Sequence, residues 1–207
     1  MIPLFCQGRA VERPTSQAVG MGAKQIPTDD ATSYFSAGER VFISEADGSE
    51  VEYLGTIASV ATNSVTVELA TEAAKSEGAK LWTPEAMFEW PMQTGTARPP
   101  AGGRVRHGGV EVVRSLGGEA YATRLGSAYV TESVRFENLT DERFGQLSSW
   151  LEQEADGGLE EFTYVDGSRV VRRVRLDVPA FEWTRRTAGD LIVAGFNLHF
   201  LAEATYV

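Results

Sequence analysis

The stretch from Tyr129 to Val178 constrains the fold most, because a strand, a helix and a hairpin follow one another there with their punctuation intact. Tyr129-Val-Thr-Glu-Ser-Val-Arg-Phe136 places Val130, Val134 and Phe136 at period-two spacing, with Glu132 the one exception on that face, the mark of a strand. Asn-Leu-Thr follows, and Thr140 is the expected N-cap, since its hydroxyl can accept from the free amides of a first turn. Asp141 and Glu142 occupy that turn, where negative charge suits the positive end of the helix dipole. Phe144, Leu147 and Leu151 then recur at helical spacing with Trp150 on their flank, and Gly157-Gly158 supplies a left-handed stop. Glu161-Phe-Thr-Tyr-Val165 runs into Asp166-Gly167, the strongest short hairpin signal. The return strand sets Val174, Leu176 and Val178 on one face and Arg173, Arg175 and Asp177 on the other. Pro179 marks an edge, a bulge or a change of direction. The closing run, Leu191 to Leu201, aligns Ile192, Ala194, Phe196, Leu198 and Phe200, and a strand so strongly patterned belongs well inside a sheet.

The first half predicts short strands instead. Residues 1–33, with Pro3, Pro14 and Pro27 and no sustained period, read as an N-terminal arm with little structure of its own. Residues 34–97 read as a small β module. In it Arg40–Ser44 and Glu50–Tyr53 flank an Ala46-Asp-Gly48 turn, Gly55–Val60 and Val65–Leu69 follow, and Gly78–Trp82 closes. Ala70–Ser76, short and alanine-bearing, is expected as a helical turn. Residues 98–109, with paired prolines and glycines, read as a linker or long loop, and 110–207 as a second unit. The expected fold class is therefore mainly β (α+β): a small β-barrel or sandwich module followed by a β-sandwich unit with one packed α-helix.

Residue chemistry points away from catalysis. The two histidines, His107 and His199, stand far apart, and no cysteine pair or H-E-x-x-H accompanies them, so neither a metal site nor a cofactor is expected. The glycines near His107 do not follow the phosphate-cradle pattern, and G-x-S-x-G is absent. The acidic residues, among them Asp29-Asp30, Glu152, Glu154 and Glu160-Glu161, read as solvated ends of elements. Cys6, the single cysteine, excludes an internal disulfide and reads as an ordinary thiol. A net charge of −10 argues against specific nucleic-acid binding. No apolar run approaches the roughly 20 residues of a membrane span, so a protein without membrane insertion is expected. The chain is read as a non-enzyme.

Two features point to surfaces. Lys24, Lys75 and Lys80 are the only lysines, and every other basic side chain is arginine. Codon usage could produce this bias, as could the use of guanidinium groups at protein interfaces. Arg172, Arg173 and Arg175, with the Arg185-Arg186 pair, are the candidate interface residues. The second feature is aromatic: Trp82, Phe88, Trp90, Phe181 and Trp183 could stack on sugars, the first three as a platform for a carbohydrate or other ligand, with core or interface packing as the commoner alternative.

The order of strand, Phe136-Glu-Asn-Leu-Thr140, helix with Trp150, Phe162-Thr-Tyr-Val-Asp166-Gly, Val174-Arg-Leu176 and long terminal strand resembles the tail-tip proteins of long-tailed bacteriophages. It is similar in particular to the β-sandwich-with-helix unit of distal tail proteins, itself related to tail-tube subunits. The resemblance spans roughly residues 110 to 205. The module order departs from it, because the extra β module here precedes the ring-forming unit. The resemblance implies a virion subunit that forms a homo-oligomeric ring, a hexamer being one closure of it, at the distal end of the tail. It would join the tail tube to the adsorption apparatus, with other tail proteins as partners and no active site. An acidic balance suits a lumen past which DNA slides. The competing readings are another tail or connector subunit, and the carbohydrate- or ligand-binding β module.

Overall fold

The computed structural model describes residues 4–89, 104–107, 110–114, 120–124, 129–154, 160–165, 169–176, 182–186 and 191–200. Its elements run in chain order as β1 (Leu4–Gln7), β2 (Val11–Pro14), β3 (Gln25–Pro27), a 3-10 turn (Ala31–Ser33), β4 (Arg40–Ser44), β5 (Glu52–Ala61), β6 (Ser64–Val67), β7 (Lys80–Thr83) and β8 (Ala86–Glu89). There follow β9 (Arg104–His107), β10 (Val110–Arg114), β11 (Ala120–Arg124), β12 (Tyr129–Leu139), α1 (Asp141–Gln153), β13 (Phe162–Val165), β14 (Val171–Leu176), β15 (Glu182–Arg186) and β16 (Leu191–Phe200). The protein is mainly β, and α1 is the one α-helix among the described residues. It divides into two compact units, Met1–Pro91 with Phe162–Arg172 and Ala204–Val207, and Met92–Glu161 with Arg173–Glu203.

In the first unit a six-stranded antiparallel sheet has the order β2-β7-β4-β5-β6-β3. The N–H of Ser16, just past one edge strand, donates to the carbonyl of Pro27 at the end of the other (3.1 Å), so the two edges meet at that end. Val41-Phe-Ile43 and Leu81-Trp82 lack the polar alternation of a half-solvated strand because both faces are covered. Val41, Ile43, Leu54, Ile57, Val65 and Leu81 point into one core with Val19, Ile26 and Phe35. Phe42, Tyr53 and Trp82 point the other way and pack with Leu4, Cys6 and Val165. Those last residues come from β1 and β13, which pair with each other, while β8 pairs along the other edge of β1.

Three expectations change here. Residues 4–33 are not a loose arm: β1, β2 and β3 are strands of these sheets, and Leu4, Phe5, Val19 and Ile26 are buried. Glu52–Tyr53 and Gly55–Val60 are one strand, β5, carrying an extra residue where Arg40↔Thr56 gives way to Phe42↔Tyr53. Gly55 makes this bulge possible, with φ +79° and with Leu69 Cγ only 3.1 Å from where a Cβ would sit. Ala70–Ser76 forms no helical turn, because its backbone pairs elsewhere: Val19 and Lys75 exchange both bonds (3.0 and 2.8 Å), and Thr71 N–H donates to Ala23 (3.0 Å). Cross-chain pairing overrides alanine's helix propensity.

The second unit is organised on β16, which pairs along its length with β12, while β12 pairs on its far side with β9. β14 and β15 lie end to end along the other edge of β16. Helix α1 packs on β12 and β16 through buried Leu147, Trp150 and Leu151, with Phe144 half-buried. Thr140 caps it as expected, its hydroxyl accepting from Arg143 N–H at 3.3 Å. Val134, Phe136, Ile192, Ala194 and Leu198 supply the buried sheet face. Trp90, Gly157-Gly158, Asp166-Gly167, Asp177-Val178 and Pro179 lie outside the described residues, as does the proline–glycine stretch 98–103.

Candidate functional site

Val174 and Leu176 are buried and Arg173 and Arg175 exposed, the alternation that β14 predicts. The arginines do not gather into one patch. Arg175 stands opposite His199 and Arg185 opposite Ile192, and at about 3.4 Å per residue the span of β16 between them is roughly 24 Å. Arg173 and Arg185 meet carboxylates of their own chain. Arg173 pairs with Glu161, and Arg185 donates to Asp141 in the first turn of α1 at 2.5 Å. Both pairs are exposed, where such contacts contribute about 0–1 kcal/mol. Arg172 is half-buried, and the side chain of Arg186 lies outside the described residues.

Trp183, one of the aromatics with a core or interface role among its readings, stands beside these arginines. It leads the run Trp183-Thr184-Arg185, all three exposed, and its indole is 51% accessible while resting on Phe144 of α1 with ring centroids 5.1 Å apart. By contrast, Trp82 and Phe88 are only 3% and 4% exposed. The ring of Trp82 is stacked on Phe42 at 4.3 Å, and the Arg9 guanidinium lies 4.7 Å from its centre. A sugar platform needs open ring faces, which these two rings lack.

The titratable groups of the first unit are engaged in structure. Burial, then the nearby Glu89 carboxylate, pushes the Cys6 thiol far above its ordinary range, which leaves it an unreactive core side chain. Burial likewise pushes the Tyr53 hydroxyl up to about 12. Arg40 forms a fork with Glu89, whose hydrogen bond raises the guanidinium's pKa further. Lys75, almost fully buried, reaches the Glu52 carboxylate (2.9 Å), the Glu50 carboxylate (3.2 Å) and the Glu50 carbonyl (2.9 Å). Arg169, at φ +72°, donates to the carbonyls of Tyr53 and Ala70, each at 3.0 Å. Together Lys75 and Arg169 tie residues 70–75 down. Sequence reasoning missed both, and the available signal was slight: a lysine among alanines and an arginine just after a turn. No group of three or more His, Cys, Asp or Glu among the described residues could hold a metal ion.

One open groove of about 640 Å³ lies between residues 17–20 and the β5–β6 turn. Gln17, Gln25, Thr62, Asn63 and Ser64 line it, and no charged side chain does. Gln25 Nε2 donates to Ser64 Oγ at 3.0 Å. Amides and hydroxyls suit an uncharged ligand rich in hydroxyl groups.

The remaining surface feature is a ribbon. β10 and β11 pair over five residues each, Val110↔Arg124 to Arg114↔Ala120, and no third strand joins them among the described residues. Nor is any helix of the described residues long and apolar enough to cross a membrane. No protein-family model and no curated protein sequence matches the chain.

Proposed function

We propose that the protein is a structural subunit of a bacteriophage tail, forming a ring at the distal end of the tail and joining the tube to the adsorption apparatus. The observation that carries this reading is the β10–β11 ribbon. A two-stranded ribbon by itself is marginal in water and gains stability only from a third strand or a packed surface, which a neighbouring subunit supplies. Exposed Trp183 beside Arg185 adds the residue types that dominate interface energetics. The order β12, α1, β13, β14, β16 also follows the resemblance that the sequence raised. On this reading the protein is a virion component without catalytic function, and its working parts are its contacts with copies of itself and with other tail proteins. Negative-stain imaging of the purified protein is expected to show closed rings, and deletion of residues 110–124 to abolish them. Uniformly monomeric particles at high concentration, alone and with tail components, would overturn it.

A second reading, a carbohydrate- or ligand-binding β module, draws on the uncharged groove between Gln17 and Asn63 rather than on the tryptophans. Oligosaccharide binding that Asn63→Ala abolishes would favour it.

A further inference from the structure

β15 pairs with β16 on one side only, so among the described residues its outer edge carries main-chain donors and acceptors with no neighbouring strand. Open edges of this kind are templates for another strand, and proteins usually guard them with proline or with charged side chains, lysine above all. Glu182-Trp-Thr-Arg-Arg186 has no proline or lysine. Its charges are a glutamate at one end and arginines at the other, which repel a parallel copy in register but suit an antiparallel one. Three successive residues, Trp183, Thr184 and Arg185, are exposed, so the strand is open on both faces as well as along its edge.

The sequence of β15 is complementary to itself read backwards. In an antiparallel pair centred on Thr184, Glu182 stands opposite Arg186 of a second copy, and Trp183 opposite its Arg185. The outer pair sets opposite charges face to face, and the inner pair sets a guanidinium against an indole. Arg185 can hold Asp141 and still present its plane, since its side chain is 48% exposed. Opposed residues share a face, so Trp183 and Phe144 of each copy come together around the two-fold axis, and the half-exposed indole is covered.

We propose that β15 is a self-recognition edge whose partner is β15 of a second copy, joined antiparallel about Thr184. Such a contact is isologous: it joins two copies, or two rings face to face, and does not itself close a ring. It stands independently of the tail reading.

The two-fold axis gives a specific test. Residue 184 faces itself, with Cβ atoms about 4.5–5.5 Å apart, close enough for a disulfide after a small adjustment. Full-length Thr184→Cys should form a disulfide-linked dimer at low micromolar concentration at least tenfold faster than Ser149→Cys, an exposed position on α1. Cys6 does not contribute, being 2% exposed. Adding Glu182→Arg, or separately Arg186→Glu, should slow the cross-link at least tenfold by opposing like charges. Combining the two should restore it, which also shows that neither change acts by unfolding the chain. Equal rates at positions 184 and 149 would overturn the proposal. So would a cross-link that the charge changes leave unaltered or that the double exchange fails to restore.

Discussion

Lys75 shows how little of a side chain's role its type reveals. A lysine among alanines is ordinarily a solvated charge, yet this one is buried against Glu52, whose carboxylate also accepts from the amides of Glu72 (2.8 Å) and Ala73 (3.1 Å). Removing the ammonium would leave a largely buried carboxylate without its counter-ion, so Lys75→Ala should cost about 3 kcal/mol. Glu50, the other carboxylate, is 46% exposed and can return to water, so Glu50→Ala should cost under about 1 kcal/mol. Urea denaturation of the two variants measures both values, and equal losses would mean that the buried arm of the triad is not the stronger one. Glu12 offers a check through pH. Burial pushes its carboxyl up, but hydrogen bonds from Arg9 and Lys80 outweigh that and hold it below its ordinary range. Its contribution is therefore present above about pH 4.3 and fades as pH falls through the lower folded value. Glu12→Gln should be less stable than wild type at pH 7 and match it near pH 2, by thermal melts.

At the scale of elements, α1 was the most legible part of the sequence. Cap, acidic first turn and apolar stripe all concern neighbours within a few residues, and each is in place. Leu147→Ala should cost about 2–5 kcal/mol because the side chain is fully buried. Thr140→Ala should cost about 1 kcal/mol through the lost cap. A loss at Leu147 below half a kilocalorie in chemical denaturation would place that face in solvent. Strands with a regular apolar period, such as β14 and β16, could also be read, since period two is a local pattern. What escaped was decided by distant partners. Residues 4–33 carry no period because β1–β3 are three or four residues long, too short to display one. β5 read as two strands because Gly55, taken as a boundary, is a bulge inside one. Of the interface arginines, the alternation of β14 was legible, but their distribution over two separate places along β16 depends on a register that no local pattern encodes.

At the scale of the whole molecule, the proposed assembly makes a prediction about charge. Arg173 and Arg175 are exposed on a chain of net charge −10, so an acidic neighbouring copy would meet them favourably. The double change to glutamate should shift oligomers toward monomers in light scattering after size exclusion, most strongly at low salt. An oligomer indifferent to both would place the interface elsewhere. The division of the chain carries a different consequence, for the order in which the protein can be made. Leu4 finds its strand partner at Val165, and the first unit includes Phe162–Arg172, which follow most of the second. The first unit can therefore close only after residues 92–161 of the second have been translated. β8 can cover one edge of β1 early, but the edge that β13 covers must wait for Val165, and contacts this distant in sequence form slowly. During synthesis that open edge of β1 is the segment that a chaperone would hold and that premature aggregation would seize first.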